Sequence, residues 1–316
     1  MTRLGVLLPT FDPYRSGAAP RVVAAARVAE ELGFDAAWVG DHLACPAPVL
    51  DAPGCLSAAA AVTERISLGL SVMLLGLRPA AWAAKQLATI DALSGGRLVL
   101  GVGVGGEYPD EFAAAGVPVG QRGARLDDAL AVLPDLLTGR PVQHAGRVTA
   151  LDVPALEPAM ARAPRTYVGG RGEPALRRAA RFGDAWLPMW LSPQLLAERA
   201  ARLAELAAEY HRPRPDLSLL VCLHVDDDLD RARAEATDYM SGQYGLPLEV
   251  VERWTPMGGV ERVAEYLESQ IAAGAQELVL MPLARDPLRQ YERLAEVREL
   301  LSSVAAVAAV APGANG

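Results

Sequence analysis

A carboxylate and an imidazole stand side by side at the end of an apolar run. The run Phe34–Val39 is interrupted only by Asp35 and is followed by Gly40, Asp41 and His42. Histidine gains and gives protons near neutral pH, and an adjacent carboxylate can raise its pKa or hold its ring. We therefore predict that His42 and Asp41 take part in proton transfer. An exposed loop histidine without a role is the alternative.

A glycine-rich segment follows another apolar run. Gly101–Gly106, which includes Gly103 and Gly105, alternates glycine with valine and is followed by Glu107. Backbone without side chains lets a planar ring or a phosphate approach closely. The glycine spacing does not match the dinucleotide-binding fingerprint, so we expect a ligand-binding wall here and not a Rossmann-type turn.

A second glycine-rich segment carries an arginine. Gly169, Gly170, Arg171 and Gly172 precede a helical pattern that begins at Pro174. Backbone N–H groups at a helix N-terminus, together with an arginine, form a site that suits a phosphate. We predict that these four residues bind an anionic group. A plain glycine-rich turn is the alternative.

These segments lie within a regular alternation of short apolar runs and longer segments of helical period. Eight runs are predicted strands: Arg3–Leu8, Phe34–Val39, Ile66–Val72, Leu98–Val102, Thr166–Gly169, Ala185–Met189, Leu219–Val225 and Glu277–Met281. The predicted helices are Pro20–Leu32, Gly54–Thr63, Ala80–Leu93, Ala124–Leu137, Pro174–Phe182, Pro193–Glu209, Leu229–Tyr239, Val260–Ala272 and Pro287–Val304. Repeated βα units with right-handed crossovers predict a single α/β domain, a closed (β/α)₈ TIM barrel. An open parallel sheet is the alternative.

Two segments interrupt the alternation. Pro141–Met160 precedes the fifth strand, and Gly242–Gly259 precedes the last helix pair. Insertions of this length are often lids or binding loops. We predict one barrel domain over residues 1–304 and a flexible C-terminal tail over 305–316, which is rich in small residues.

Composition excludes several classes of partner. The 316 residues are 51% hydrophobic and carry a formal net charge of -8, so we expect no basic face for nucleic acid or an anionic membrane. The start of the chain lacks the pattern of a signal peptide, and a cytoplasmic location is expected. Three cysteines and four scattered histidines predict neither a disulfide framework nor a metal site. A small-molecule substrate is therefore the expected partner.

Several stretches together resemble the bacterial luciferase-like superfamily of flavin monooxygenases and coenzyme F420-dependent oxidoreductases. They are Phe34–His42, Ala88–Arg97, Gly101–Gly105, Ala179–Trp186 and Met257–Val260, and they follow one another in family order. The resemblance covers nearly the whole chain. It implies a (β/α)₈ barrel, in agreement with the strand count, and a homodimer.

The resemblance also implies roles for individual residues. His42 matches the family's active-site histidine, a proton donor or base. Ser71 and Val72 fall at the bulge of the third strand, where a non-prolyl cis peptide supports the ring of the cofactor. Gly170–Gly172 matches the phosphate-binding turn, and Glu107 falls near a glutamate that some deazaflavin enzymes use as an acid.

The resemblance leaves two cofactors open. Luciferases carry an arginine for the flavin phosphate where this chain has Val104, and this departure favours F420 over FMN. The first hypothesis is therefore a reductase that uses reduced F420 to transfer a hydride to a C=C or C=N bond of a small organic substrate. An FMN-dependent monooxygenase is the second, and a non-catalytic barrel subunit is the third. We expect Tyr244 and Trp254, within Gly242–Gly259, to form part of the substrate wall.

Overall fold

A computed structural model of the chain describes residues 2–17 and 21–310, with side chains described as far as residue 303. The elements are β1 Arg3–Leu7, α1 Val22–Glu31, β2 Ala36–Val39, α2 Ala52–Ala60, β3 Ser67–Met73, α3 Ala80–Ser94, β4 Leu98–Val102, α4 Pro109–Ala114, α5 Arg122–Leu137, β5 Val142–Ala145, β6 Ala150–Val153, β7 Thr166–Gly169, α6 Glu173–Phe182, β8 Ala185–Leu187, α7 Pro193–Glu209, β9 Asp216–Val225, α8 Leu229–Tyr244, β10 Met257–Gly258, α9 Val260–Ala272, β11 Glu277–Pro282 and α10 Pro287–Val310.

Eight parallel strands close into a barrel. They pair in the order β9-β11-β1-β2-β3-β4-β7-β8, and β8 pairs with β9 to complete the ring. Each corresponds to one of the eight predicted strands, so the barrel prediction is confirmed. Strands of a parallel barrel are covered on both faces, which is why β2 and β11 are buried at every position.

The barrel interior is filled by side chains and by an indole in particular. Trp38 on β2 is fully buried and packs edge-on against Tyr167 of β7, with ring centroids 5.3 Å apart. Glycines on the neighbouring strands make room for the indole, because a Cβ at Gly5 or Gly69 would approach it to 2.5 or 2.2 Å. A second apolar layer packs the outer face of the strands against the helices.

The two insertions contain regular structure that the sequence pattern did not predict. β5 and β6 form an antiparallel hairpin within Pro141–Met160. Its loop is held by the buried Asp128 of α5, which accepts hydrogen bonds from the backbone N–H groups of residues 147–149. Burial raises the pKa of Asp128, but these hydrogen bonds outweigh burial and leave the pKa below its usual value.

Two helices extend five residues or more past their predicted ends. α8 continues to Tyr244, past the expected end at Tyr239, and closes at Gly245, whose φ of 63° is left-handed. α10 continues to Val310, into the predicted flexible tail, and residues 311–316 lie outside the described residues. Of the helices the structure describes, none is both long and apolar enough to span a membrane.

Candidate active site

A cavity of about 290 Å³ opens at the carboxyl ends of the barrel strands. Most of the predicted site residues line it: Asp41, His42, Ser71, Val72, Gly103, Gly105, Glu107, Gly169, Gly170 and Arg171. Gly172, which precedes α6, does not line the cavity, and of the two residues expected in the substrate wall Tyr244 lines it and Trp254 does not. The carboxyl ends of the strands are where barrel enzymes place their reactive groups.

The partner of His42 is a glutamate that the sequence analysis did not single out. Nδ1 of His42 lies 3.1 Å from Oε2 of Glu111, and the backbone N–H of Leu43 donates to the same oxygen. The Glu111 side chain is fully buried. Because a carboxylate oxygen accepts hydrogen bonds, we assign the hydrogen of this contact to Nδ1 of His42, whose N–H donates to Oε2 of Glu111. Nε2 then remains as the ring nitrogen without a protein partner among the described residues.

Two aromatic rings fix the imidazole in place. Tyr108 and Phe11 lie edge-on to the His42 ring, with centroids 5.0 and 6.0 Å away. The Tyr108 hydroxyl donates a 2.6 Å hydrogen bond to the main-chain oxygen of Gln243 on α8. Burial raises the pKa of Tyr108 above its usual value, so the hydroxyl stays protonated as a donor. His42 is thus held at Nδ1 and on two sides of its ring.

The predicted contact between Asp41 and His42 is wrong. The Asp41 carboxylate is buried and forms a bidentate pair with Arg78, at 2.5 and 2.7 Å, and accepts from the backbone N–H of Leu74. Burial lowers the pKa of Arg78, but the Asp41 carboxylate outweighs this effect and leaves the pKa above its usual value. Asp41 therefore fastens the end of β2 to the segment after β3 and positions its neighbour His42 only through the backbone.

The expected cis peptide is present between Ser71 and Val72. The pairing of β3 with β4 shifts register between Leu70 and Met73, which places a bulge at these two residues. The Ser71 hydroxyl oxygen is buried without a hydrogen-bond partner in the described part of the chain. The bulge thus presents one unsatisfied polar atom at the cavity wall.

The glycines of β4 and β7 make room for Val72. A Cβ at Gly103 would lie 2.4 Å from Val72 Cγ2, and one at Gly169 would lie 3.1 Å from Val72 Cγ1. The sequence pattern predicts direct contact of these glycines with a ring or a phosphate. In the structure, Gly103 and Gly169 instead admit the Val72 side chain, which then forms part of the cavity wall.

Gly170 and Arg171 form the turn between β7 and α6. Gly170 has a φ of 108°, and its carbonyl accepts from the indole N–H of Trp186. Arg171 is exposed, lies 5.6 Å from the ring centroid of Trp190, and has no acidic partner among the described residues. Its guanidinium is therefore free to bind an anion at the cavity rim.

Glu107 lies at the rim of the same cavity and is exposed. It occupies the loop before α4, whereas Glu111 is on α4 itself and contacts His42. The carboxylates of Glu107 and Glu111 therefore lie in different environments. Glu107 is accessible to a bound molecule, and Glu111 is shielded behind the imidazole.

Cys45 follows the His42 segment, and its thiol is a weak nucleophile. Burial raises the pKa of Cys45 to about 11, and its Sγ donates to the carbonyl of Ala47. Relative to a usual value of 9.0, this shift lowers the thiolate fraction at neutral pH about 100-fold. We expect iodoacetamide to alkylate Cys45 slowly at pH 7 and tenfold faster for each pH unit up to about 11. Fast labelling at pH 7 that Cys45→Ala removes would contradict this.

The residues of the cavity fit a flat ring with a phosphate-bearing tail. The unsatisfied Ser71 hydroxyl and the Val72 side chain offer a wall for a ring edge and face, and the unpaired Arg171 with Gly170 offers an anion site. Apolar side chains, including Leu187 and Met281, complete the wall. No group of three or more His, Cys, Asp or Glu side chains within residues 2–17 and 21–310 is arranged to hold a metal ion.

Comparison with known proteins agrees with this geometry. The luciferase-like monooxygenase family matches residues 2–278. An F420-dependent glucose-6-phosphate dehydrogenase of Beutenbergia cavernae is 37% identical over 235 residues, which cover 69% of this chain and 68% of the relative.

Solved structures share the fold. An F420-dependent secondary alcohol dehydrogenase in complex with an F420-acetone adduct superposes with a TM-score of 0.81 at 21% identity, covering 95% of this chain and 99% of the other. The oxygenating constituent of 3,6-diketocamphane monooxygenase from Pseudomonas putida, in complex with FMN, superposes with a TM-score of 0.74 at 18% identity. The match covers 96% of this chain and 97% of the other. This chain belongs to the luciferase-like monooxygenase family.

Proposed function

We propose that this luciferase-like oxidoreductase uses reduced coenzyme F420 to transfer a hydride to a C=C or C=N bond of a small organic substrate, with His42 as the proton donor. The observation that carries the proposal is the His42 imidazole, fixed at Nδ1 by Glu111 and facing the cavity beside the Ser71–Val72 bulge. F420-dependent proteins among the relatives support the choice of cofactor.

Residues that follow or lie on the nearby strands β3 and β7 would hold the cofactor. Ser71 and Val72 would support its ring, and Gly170 with Arg171 would bind its phosphate. Gly103, Gly105, Gly169 and Gly172 would act through the backbone, by making room for Val72 or by shaping the turns. When bound, reduced F420 supplies the hydride, and the protein supplies position and protons.

His42 would deliver the proton that accompanies the hydride. Its Nδ1–H is committed to Glu111, so Nε2 is the nitrogen that can hold or release a proton toward the cavity. The contact with the buried Glu111 carboxylate keeps the orientation of the ring constant. Glu107 is a second candidate acid, because it is exposed at the cavity rim.

An FMN-dependent monooxygenase is the alternative function. The likeness of the fold to the FMN complex of a diketocamphane monooxygenase favours it. Val104 lines the cavity where luciferases carry an arginine, which weighs against a flavin phosphate in that position. A non-catalytic subunit has less support, because the cavity keeps His42, Ser71 and Arg171 together.

Turnover under argon distinguishes the two functions. The purified protein receives reduced F420, labelled with deuterium at its hydride-donating carbon, and a panel of small enones and imines. We expect deuterium in a reduced product without any need for oxygen. Turnover only with reduced FMN and air, and with oxygen incorporated into the product, would contradict hydride transfer from F420.

We also propose a cytoplasmic homodimer in which a second copy covers α3. Trp82 and Leu93 are 69% and 59% exposed, and their separation of three helical turns places them on one face of α3. Light scattering should give twice the mass of one chain, and Trp82→Arg should shift the protein toward the monomer. A wild-type monomer at micromolar concentration would contradict the dimer.

A further inference from the structure

We propose that the substrate is an uncharged molecule with an apolar body, and that it presents a hydrogen-bond donor to the side-chain carbonyl of Gln243. This inference rests on the proposed function, because it names the substrate class of the same cavity. Two independent observations carry it, the unsatisfied amide of Gln243 and the charges of the cavity wall.

Gln243 is a buried polar side chain that reaches the cavity. It lies in the last turn of α8, is 1% exposed and lines the cavity with its neighbour Tyr244. Its Oε1 is buried and has no hydrogen-bond partner among the described residues. Buried polar atoms are nearly always paired, so an unpaired acceptor at a cavity wall indicates that a ligand supplies the donor.

The main chain of Gln243 is hydrogen-bonded to the residue that packs on His42. The Tyr108 hydroxyl donates to its main-chain oxygen, and Tyr108 also contacts the His42 ring. On its other side, the Tyr244 ring packs edge-on against Trp190, with centroids 5.5 Å apart. A donor that reaches Gln243 is therefore held on the same side of the cavity as Tyr108, the residue that packs on the proposed proton donor.

The charges of the cavity wall oppose an anionic substrate. Among its lining residues, the Asp, Glu, Lys and Arg side chains are those of Asp41, Glu107 and Arg171. Asp41 is neutralised by Arg78, and Arg171 is the anion site assigned above to the cofactor. In the cavity next to this one, Arg285 is already paired with Asp238 and stacked on Tyr14. The cavity that contains His42 thus has no second arginine for a substrate phosphate, whereas the neighbouring cavity has Arg21, which has no acidic partner among the described residues.

The remaining wall is suited to hydrocarbon. Leu7, Leu187, Met189, Leu220 and Met281 line it. Glucose 6-phosphate, the substrate in the name of the Beutenbergia relative, carries a phosphate and a hydroxyl-covered body that this wall does not match. The geometry points to an alcohol, amide or related neutral compound, with its O–H or N–H on Gln243.

A matched pair of ligands tests the inference. The protein, loaded with whichever of F420 or FMN it binds more tightly, is titrated by calorimetry with 4-hydroxycyclohex-2-enone, cyclohex-2-enone and glucose 6-phosphate. We expect the hydroxylated ketone to bind roughly tenfold more tightly than the plain ketone, and glucose 6-phosphate to bind more weakly than both. Gln243→Met should abolish the preference for the hydroxyl group.

Gln86→Met is the control variant. Gln86 also has a buried, unpartnered Oε1, but it lies on α3 and does not line the cavity. The Gln86→Met variant should still bind the hydroxylated ketone more tightly than the plain ketone. Tighter binding of glucose 6-phosphate, binding of neither ketone, or an unchanged preference in Gln243→Met would each overturn the inference. Preference for FMN would overturn the proposed cofactor but leave this comparison valid.

Discussion

The His42→Ala variant should lose between about 100-fold and 10,000-fold in turnover number while it binds F420 nearly as tightly as the wild type. In the proposed mechanism the ring delivers a proton and contributes little to holding the cofactor, whose proposed contacts are Ser71, Val72, Gly170 and Arg171. Steady-state kinetics and fluorescence titration of the same preparation measure both effects. An equal loss of binding and turnover would show that His42 serves the fold or the cofactor and not the proton.

Glutamine variants of Glu107 and Glu111 distinguish the roles of the two side chains. Glu111→Gln keeps an acceptor for Nδ1 but removes the charge, so we expect turnover to fall by less than in His42→Ala. Glu107→Gln should change turnover little. If Glu107→Gln instead abolishes turnover and Glu111→Gln does not, Glu107 is the proton donor.

The Arg78→Met variant should lose about 3–5 kcal/mol of unfolding free energy, because it leaves the Asp41 carboxylate buried without its counter-charge. The Asp41 side chain is 1% exposed, so solvent cannot replace the guanidinium. The free energy is measured by urea denaturation of wild type and variant.

The double variant Asp41→Asn with Arg78→Met is the matched control. It removes the isolated charge and should recover part of the lost stability. A loss below about 1 kcal/mol in Arg78→Met would mean that the pair is no more than a surface ion pair. Loss of activity with full stability would instead assign Arg78 to the chemistry.

The barrel could be predicted because its strands and helices are regular along the chain. Each parallel strand is covered on both faces and is therefore apolar throughout, as in β2 and β11, and each crossover needs a helix. α7 and α9 even begin and end where the sequence pattern places them, since Pro193 and Gly259 mark their starts. α4 and β10 were too short to give a periodic signal.

The partners within the site could not be predicted, because they are distant in the sequence. Glu111 lies 69 residues from His42, and Arg78 lies 37 residues from Asp41. The adjacency of Asp41 and His42 suggested a pair, but successive side chains at a strand end point in different directions. Only the tertiary structure shows that each has a partner on another element.

The surroundings of Gly103 and Gly169 also depend on residues that are distant in the sequence. Gly103 and Gly169 line the cavity, but their spacing alone could not show what occupies the space they leave. The occupant is the side chain of Val72 on β3, which follows the cis bond. The resemblance to the family, and not local periodicity, predicted that bond.

The most direct test of the account is an anaerobic titration of the purified protein with F420 and with FMN, each oxidised and reduced. We predict that F420 binds at least about tenfold more tightly than FMN in the same redox state, a difference of about 1.4 kcal/mol. We also predict that Arg171→Ala weakens the binding of F420. Tighter binding of reduced FMN, unaffected by Arg171→Ala, would contradict the assignment of the cavity to a deazaflavin.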